Sequence, residues 1–177
     1  MSLSLATLSF GAFSFLLGII LLTPQGNQFL KKIARCTVAN FIFFGIALAW
    51  FLYEIMLLGP CDFGQYKTIL LWTFAPAGLA AFYYIPDFLS IRGLAGIGLL
   101  WARGILDSAY LQPYESRLWL VSGVYLMIVT CLYLGACPYR YRDALENLDA
   151  HPKITKSLSI GLLIYGILLS ALSFTYA

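Results

Sequence analysis

Six runs of predominantly apolar residues, separated by short polar segments, constrain what this 177-residue chain can fold into. They cover residues 3–22, 36–58, 68–85, 93–111, 118–137 and 158–176. A transmembrane helix needs about 20 mostly apolar residues, with a range of about 17 to 25, and all six runs have a suitable length. The runs therefore predict an all-α, polytopic transmembrane bundle of six helices with short loops and no soluble domain.

The composition of the chain is also that of a membrane protein. Hydrophobic residues make up 61% of the chain and charged residues 11%, whereas charged residues make up about 25% of a typical soluble domain. An unusually apolar soluble helical bundle is the alternative, and the length of the runs argues against it. The first run has no basic residues before it and no small-residue cleavage pattern after it, so we expect a retained span rather than a secretory signal.

The lysines and arginines between the runs are distributed unevenly, and this distribution predicts an orientation. The segments after the first, third and fifth runs carry eight of them, whereas those after the second and fourth carry only Lys67 and Arg117. Short cytoplasmic loops of membrane proteins are enriched in Lys and Arg. We therefore expect the odd-numbered loops to be cytoplasmic and both termini to lie outside, in a plasma membrane or a bacterial inner membrane.

The segment between the fifth and sixth runs is the longest of the loops. Apolar residues recur among its charges, and this pattern predicts a short helix on the cytoplasmic membrane surface. Its basic side chains are candidate contacts for lipid or for a partner protein: Arg140, Arg142, Lys153 and Lys156. The alternative is that these residues only determine the topology of the chain.

Residues that could carry catalysis, metal binding or cofactor binding are scarce. The one histidine, His151, lies in the fifth loop, so no run offers a histidine for a zinc, haem or nucleophile–base site. The cysteines form no C-x-x-C pair: Cys36, Cys61, Cys131 and Cys137. The glycines of residues 93–100 follow no strand, which argues against a nucleotide-binding loop. We expect no cofactor and no metal.

The expected partners follow from the same composition. The net charge is only +3, and the chain has no dense basic stripe with interleaved aromatic residues, so no nucleic-acid partner is predicted. The lipid bilayer is the first expected partner. Other membrane subunits or further copies of this chain are the second.

The fourth run contains two charged residues, Arg103 and Asp107, in a mostly apolar helix. On a helix, spacings of four, three and four residues place Gly96, Leu100, Arg103 and Asp107 along one stripe. Gly96 would allow another helix to approach closely, and Arg103 and Asp107 have the spacing of an ion pair. This stripe is therefore a candidate contact face.

The second run places Asn40, Ala47 and Glu54 on one side of its helix at heptad spacing. In the predicted topology Glu54 lies near the outer end of its span, at a depth similar to that of Asp107, and Arg103 lies about 6 Å deeper. A charge at the bilayer centre costs about 2.5–3.5 kcal/mol even on the lenient insertion scale. We therefore expect Arg103 to bridge Glu54 and Asp107 and to face the interior of the bundle.

This cluster has two possible roles, and the sequence leaves both open. It is either a polar clamp that holds the second and fourth helices in register, or a small wet cavity for an ion, a proton or a polar headgroup.

Three function classes for the protein stay open. The first is an integral-membrane subunit, scaffold or assembly factor that acts through helix packing, and faces of small residues such as 75–81 favour it. The second is a small transporter or channel that uses the cluster, with Pro76 opening the third helix. The third is a membrane enzyme acting on lipid, which only the carboxylates support.

Overall fold

The computed structural model describes residues 2–176, and within that range 86% of the chain is helical with no strand. Eight helices follow one another: α1 (Leu3–Leu22), α2 (Pro24–Arg35), α3 (Thr37–Met56), α4 (Lys67–Tyr84), α5 (Leu89–Ala109), α6 (Arg117–Ala136), α7 (Tyr139–Ala150) and α8 (Pro152–Ser173). A 3₁₀ turn, Phe174–Tyr176, follows α8. The predicted all-α class is confirmed.

Five of these helices are long and apolar enough to cross a membrane: α1, α3, α5, α6, and α8 together with its final turn. They coincide with five of the six predicted spans. The third predicted span coincides with α4, which is not among the five, because Lys67, Pro76 and its terminal tyrosines lower its mean hydropathy. The fold is therefore an all-helical one with five membrane-type helices.

The first and last long helices, α1 and α8, form an antiparallel pair in close contact. Glycines on both helices make this approach possible. A Cβ atom on Gly166 would lie 2.7 Å from the backbone nitrogen of Phe15, and a Cβ on Gly18 would lie 3.0 Å from the carbonyl oxygen of Ser159. Small residues at a helix–helix contact allow the backbones to pack closely.

Helix α5 lies at the centre of the fold and contacts α1, α2, α3 and α6, whereas α4 packs mainly against α3. A core of fully buried side chains joins α5 to its neighbours. It contains Ala102 and Ile105 from α5, Phe10 from α1, Leu120 from α6 and Leu169 from α8. The six long helices alternate in direction along the chain, so α3 and α5 run parallel to each other.

One end of the fold is built from the two short helices, α2 and α7, and from the segment between α4 and α5. Buried Asn27 on α2 donates a hydrogen bond from Nδ2 to Asp149 Oδ1 on α7, at 3.0 Å. The Ser90 hydroxyl, at the start of α5, donates to the carbonyl oxygen of Ile33 on α2 at 3.1 Å. We call this the α2–α7 end. The first, third and fifth connections meet there.

The opposite end holds the second and fourth connections. Lys67 Nζ donates to the carbonyl oxygen of Met56, and Arg117 Nη1 donates to the carbonyl oxygen of Ala109. The rings of Tyr114 and Tyr176 pack at 5.1 Å between centroids, so the end of the described chain lies there too. The odd-numbered and even-numbered connections therefore lie at opposite ends of the bundle.

Two features at the α2–α7 end differ from the sequence prediction. The first loop is a helix, because the Thr23 hydroxyl caps α2 by accepting from the nitrogen of Gly26 and Pro24 occupies its first turn. The fifth loop is shorter than predicted, because α8 begins at Pro152 rather than at 158 and thus includes Lys153 and Lys156. The short helix expected in that loop is present as α7, with Leu145 buried.

Candidate functional site

The contact between α3 and α5 uses the residues that share a helix face in the sequence. Asn40 bridges the start of α5, since its Nδ2 donates to the carbonyl oxygen of Pro86 at 2.9 Å and its Oδ1 accepts from the backbone nitrogen of Ser90 at 2.8 Å. Further along, the Cβ of buried Ala47 lies 3.3 Å from where a Cβ on Gly96 would be. The stripe on each helix is therefore the stripe that meets the other helix.

The closest approach of the two helices lies between these contacts. Residues Asn40–Phe44 form a π-helical turn within α3, and a Cβ on Gly93 of α5 would lie only 2.5 Å from the backbone nitrogen of Phe44. Glycine at position 93 lets α5 touch the backbone of this turn. Single π-helical turns inside α-helices are common at functional sites, and here the turn coincides with the interface between the helices.

The charged cluster lies at the other end of the same interface. Arg103 Nη1 donates to Glu54 Oε2 at 2.8 Å, and Trp50 Nε1 donates to the second carboxylate oxygen, Oε1, at 3.2 Å. Arg103 Nε lies 3.9 Å from Asp107 Oδ2, which is an ion-pair distance but too long for a hydrogen bond. The structure thus brings all three predicted residues together, with Glu54 as the main partner of Arg103.

The cluster does not face the interior of the bundle, and that part of the sequence prediction is wrong. The side chain of Arg103 is 60% exposed and that of Asp107 is 75% exposed, whereas Glu54 is 26% exposed. The inward positions of this part of α5 are filled by Ala102 and Ile105, which are fully buried. Helical geometry therefore directs the two charged residues to the outside.

The outward position of these charges is unusual for α5. Every other residue of this helix is buried or half-buried, so Arg103 and Asp107 are the two residues that α5 exposes. The groove beside Lys32 and the depression beside Glu115 are lined by other residues. The cluster is therefore a charged patch on the lateral surface of the fold, at the edge of the α3–α5 contact.

The four basic residues predicted as lipid or partner contacts are divided between two helices. On α7, exposed Arg140 lies over the ring of Tyr139 at 5.5 Å, and Arg142 pairs with Asp143 at 3.2 Å and with Glu146 at 3.7 Å. Lys153 and Lys156 are exposed at the start of α8.

Sequence reasoning missed a groove of about 360 Å³ at the α2–α7 end, because it did not predict α2. Lys31, Lys32, Phe88, Arg142 and Leu145 are among its lining residues. The Thr-Pro pair at 23–24 is the sequence signal that could have predicted α2. A second, more open depression of about 510 Å³ lies at the opposite end beside Glu115, Trp119 and Ser122.

A half-buried tyrosine that lines the groove, Tyr141, is held by the backbone of α2. Tyr141 donates its hydroxyl to the carbonyl oxygen of Leu30 at 3.3 Å. Burial raises the pKa of Tyr141 to about 12, because the charged phenolate would be poorly solvated. This tyrosine therefore stays neutral to a higher pH than an exposed tyrosine and adds no negative charge to the groove.

Residues suited to metal or redox chemistry are not brought together in the described part of the chain. Within residues 2–176 no group of three His, Cys, Asp or Glu side chains could hold a metal ion, and all four cysteines are free. His151 is exposed and contacts the carbonyl oxygen of Asn147 through Nδ1 at 3.1 Å.

Comparisons of the chain with family models, with curated proteins and with solved structures found no significant match.

Proposed function

We propose that this protein is an integral-membrane subunit, scaffold or assembly factor that binds a partner through the lateral surface around Glu54, Arg103 and Asp107. The observation that carries the proposal is that α5, the central helix, exposes only Arg103 and Asp107, whereas its other residues are buried or half-buried. The exposed end of a central helix is a natural place for a second membrane segment to pack. The partner is expected to present polar or charged groups at the same depth.

The energetics of charge in a bilayer favour such a partner. Arg103 lies six residues before the end of α5, which corresponds to about 9 Å along the helix. Snorkelling towards the interface lowers the cost of that position but holds the side chain extended. A neighbouring segment with polar or charged groups would remove the cost of exposing Arg103 to lipid. It would also supply a partner for Asp107, since Arg103 is hydrogen-bonded to Glu54 instead.

The proposed membrane arrangement has six spans, with α4 as the third. The alternating direction of the long helices supports this arrangement. Because α3 and α5 run parallel to each other, the chain has to return across the bilayer between them, and α4 is the helix in that segment. Lys and Arg in the odd-numbered connections support a cytoplasmic α2–α7 end, with both termini outside, in a plasma or bacterial inner membrane.

Labelling of substituted cysteines tests this orientation. Cysteines substituted at Lys32 and His151 should resist an impermeant thiol reagent in intact cells, and one at Gly64 should react. The reverse pattern would contradict this orientation.

Two other function classes have less support. Transport through the bundle requires a polar cavity at Arg103, whereas the groove beside Lys32 and the depression beside Glu115 lie at the two ends of the fold. Lipid-directed catalysis requires a nucleophile with an adjacent base, and the three charged residues of the cluster offer no such pair. Packing against a partner needs neither feature.

Complex size provides the test. The tagged protein is extracted from its native membrane in a mild detergent, and the mass of its complex is compared with that of the free chain. Wild type and a Lys67→Gln/Asp62→Asn control, which removes the same two charges from the second connection, should both run as a complex larger than one chain. Arg103→Gln combined with Asp107→Asn should shift the protein towards the mass of one chain. A wild type that runs as a single chain, or a double variant with unchanged complex mass, would contradict the proposed function.

A further inference from the structure

The groove at the α2–α7 end combines cationic and apolar side chains in one depression of about 360 Å³. Its lining includes the cationic residues Lys31, Lys32 and Arg142 and the apolar residues Ala34, Phe88 and Leu145. A volume of this size is within the usual range of about 300–1,000 Å³ for small-molecule sites. The lining is amphiphilic, so the matching ligand is amphiphilic as well.

The groove lies at the level where two membrane-type helices begin. Phe88 immediately precedes α5, and Cys36, which also lines the groove, immediately precedes α3. The polar helices α2 and α7 form its walls beyond that level. A ligand in the groove would therefore have access both to the apolar surface of the spans and to the aqueous side.

The one cation of the groove without a carboxylate partner favours an anionic ligand. The lining has three cations and one acidic residue, Glu146, and Asp143 and Asp149 lie beside it. Lys31 is paired with Asp149, and Arg142 with Glu146 and Asp143, so these two side chains are held in place. Lys32 is exposed and forms no ion pair within residues 2–176, which leaves one ammonium group available for an anion.

We propose that this groove binds one anionic glycerophospholipid. Its phosphate would interact with Lys32 and Arg142, and the first carbons of its acyl chains would lie against Phe88 and Leu145. Basic pockets between helices at the membrane surface are suited to anionic headgroups, and the apolar side chains distinguish such a lipid from a free phosphate ion. The site lies at the opposite end of the fold from the charged cluster and is independent of the proposed function.

Cys36 provides a direct readout, because it lines the groove and is exposed. A variant that retains only Cys36, with serine at the other three cysteines, is purified in a neutral detergent. The rate of maleimide labelling is measured with added phosphatidylglycerol, phosphatidylcholine or inorganic phosphate. A variant that retains only Cys137, which is outside the groove lining, serves as the control for general effects of lipid on labelling.

Phosphatidylglycerol should slow the labelling of Cys36 at least about fivefold, phosphatidylcholine and phosphate should have little effect, and Cys137 should be unaffected. Adding Lys32→Gln and Arg142→Gln should abolish the protection, whereas Lys67→Gln with Arg117→Gln, which removes one lysine and one arginine at the opposite end of the fold, should preserve it. Lys32→Arg should retain protection. The proposal is overturned if phosphatidylcholine protects equally, if phosphate alone protects, if Cys36 labels at the same rate throughout, or if the two double variants behave alike.

Discussion

Arg103 and Glu54 join α5 to α3 through a 2.8 Å hydrogen-bonded ion pair, and the second oxygen of Glu54 is held by Trp50. Asp107 lies one turn from Arg103 on the same helix but only at 3.9 Å. The three residues therefore form an unequal cluster, in which one carboxylate is fixed between two donors and the other is largely exposed.

This inequality predicts different coupling energies in double-mutant cycles. Arg103→Ala with Glu54→Gln should show a coupling of about 1 kcal/mol or more, because a charge-assisted hydrogen bond between helices is lost. Arg103→Ala with Asp107→Asn should show about 0.3–0.5 kcal/mol, the usual value for an exposed pair one helical turn apart. Unfolding free energies in detergent give both values. Equal couplings, or a larger one for Asp107, would contradict the geometry.

The close approach of α3 and α5 predicts a strong effect of a single methyl group at Gly93. Gly93→Ala should destabilise the protein by about 1–3 kcal/mol, because its Cβ would meet the backbone of Phe44. Gly104→Ala on the same helix is the matched control, since nothing lies within 4 Å of its Cβ position. The control should be neutral or slightly stabilising. Similar melting temperatures for the two variants would show that the helices are not in backbone contact.

A second matched pair tests the contact between α1 and α8. Gly166→Ala should also destabilise the protein by about 1–3 kcal/mol. Its Cβ would lie 2.7 Å from the backbone nitrogen of Phe15 and 2.8 Å from the carbonyl oxygen of Gly11. Gly161→Ala lies on the same helix, and its Cβ meets nothing within 4 Å. Thermal unfolding in detergent compares the two. A Gly161→Ala variant as unstable as Gly166→Ala would contradict this packing.

Tyr141 predicts a pH dependence at alkaline pH. Burial raises its pKa in the folded state to about 12, above the ordinary value of 10.0. Between these values the unfolded state binds fewer protons than the folded state, so the stability that the neutral tyrosine contributes is fully present below pH 10 and is lost as the pH rises towards 12. The melting temperature of wild type should fall more steeply over this range than that of Tyr141→Phe. Parallel curves would show that Tyr141 titrates as an exposed tyrosine.

The helical faces of α3 and α5 could be predicted from the sequence, because helical periodicity alone determines which residues share a stripe. Asn40, Ala47 and Glu54 do face the helix that carries Gly96 and Arg103. Periodicity does not determine what lies against a stripe. The outward position of Arg103 depends on Ala102 and Ile105 packing inward against three other helices, and those contacts are non-local.

The α2–α7 end was the least predictable part of the fold. Helix α2 has a polar face and lies between two apolar runs, so hydropathy alone assigns it to a loop. Its position depends on contacts far apart in sequence, between Asn27 and Asp149 and between Leu30 and Tyr141. The groove exists only because these contacts bring α2 and α7 together, and no local pattern could have indicated it.

Site-specific photocrosslinking in native membranes tests most directly whether the cluster contacts a partner. A photoreactive p-benzoylphenylalanine replaces Tyr110, which is exposed and follows Asp107 by three residues, or Tyr125, an exposed tyrosine of α6, as the matched control. Position 110 should give a crosslinked product with a second protein chain at one discrete mass, and this product should be lost with Arg103→Gln and Asp107→Asn. Position 125 should give only lipid adducts. Lipid adducts alone at both positions would contradict the account.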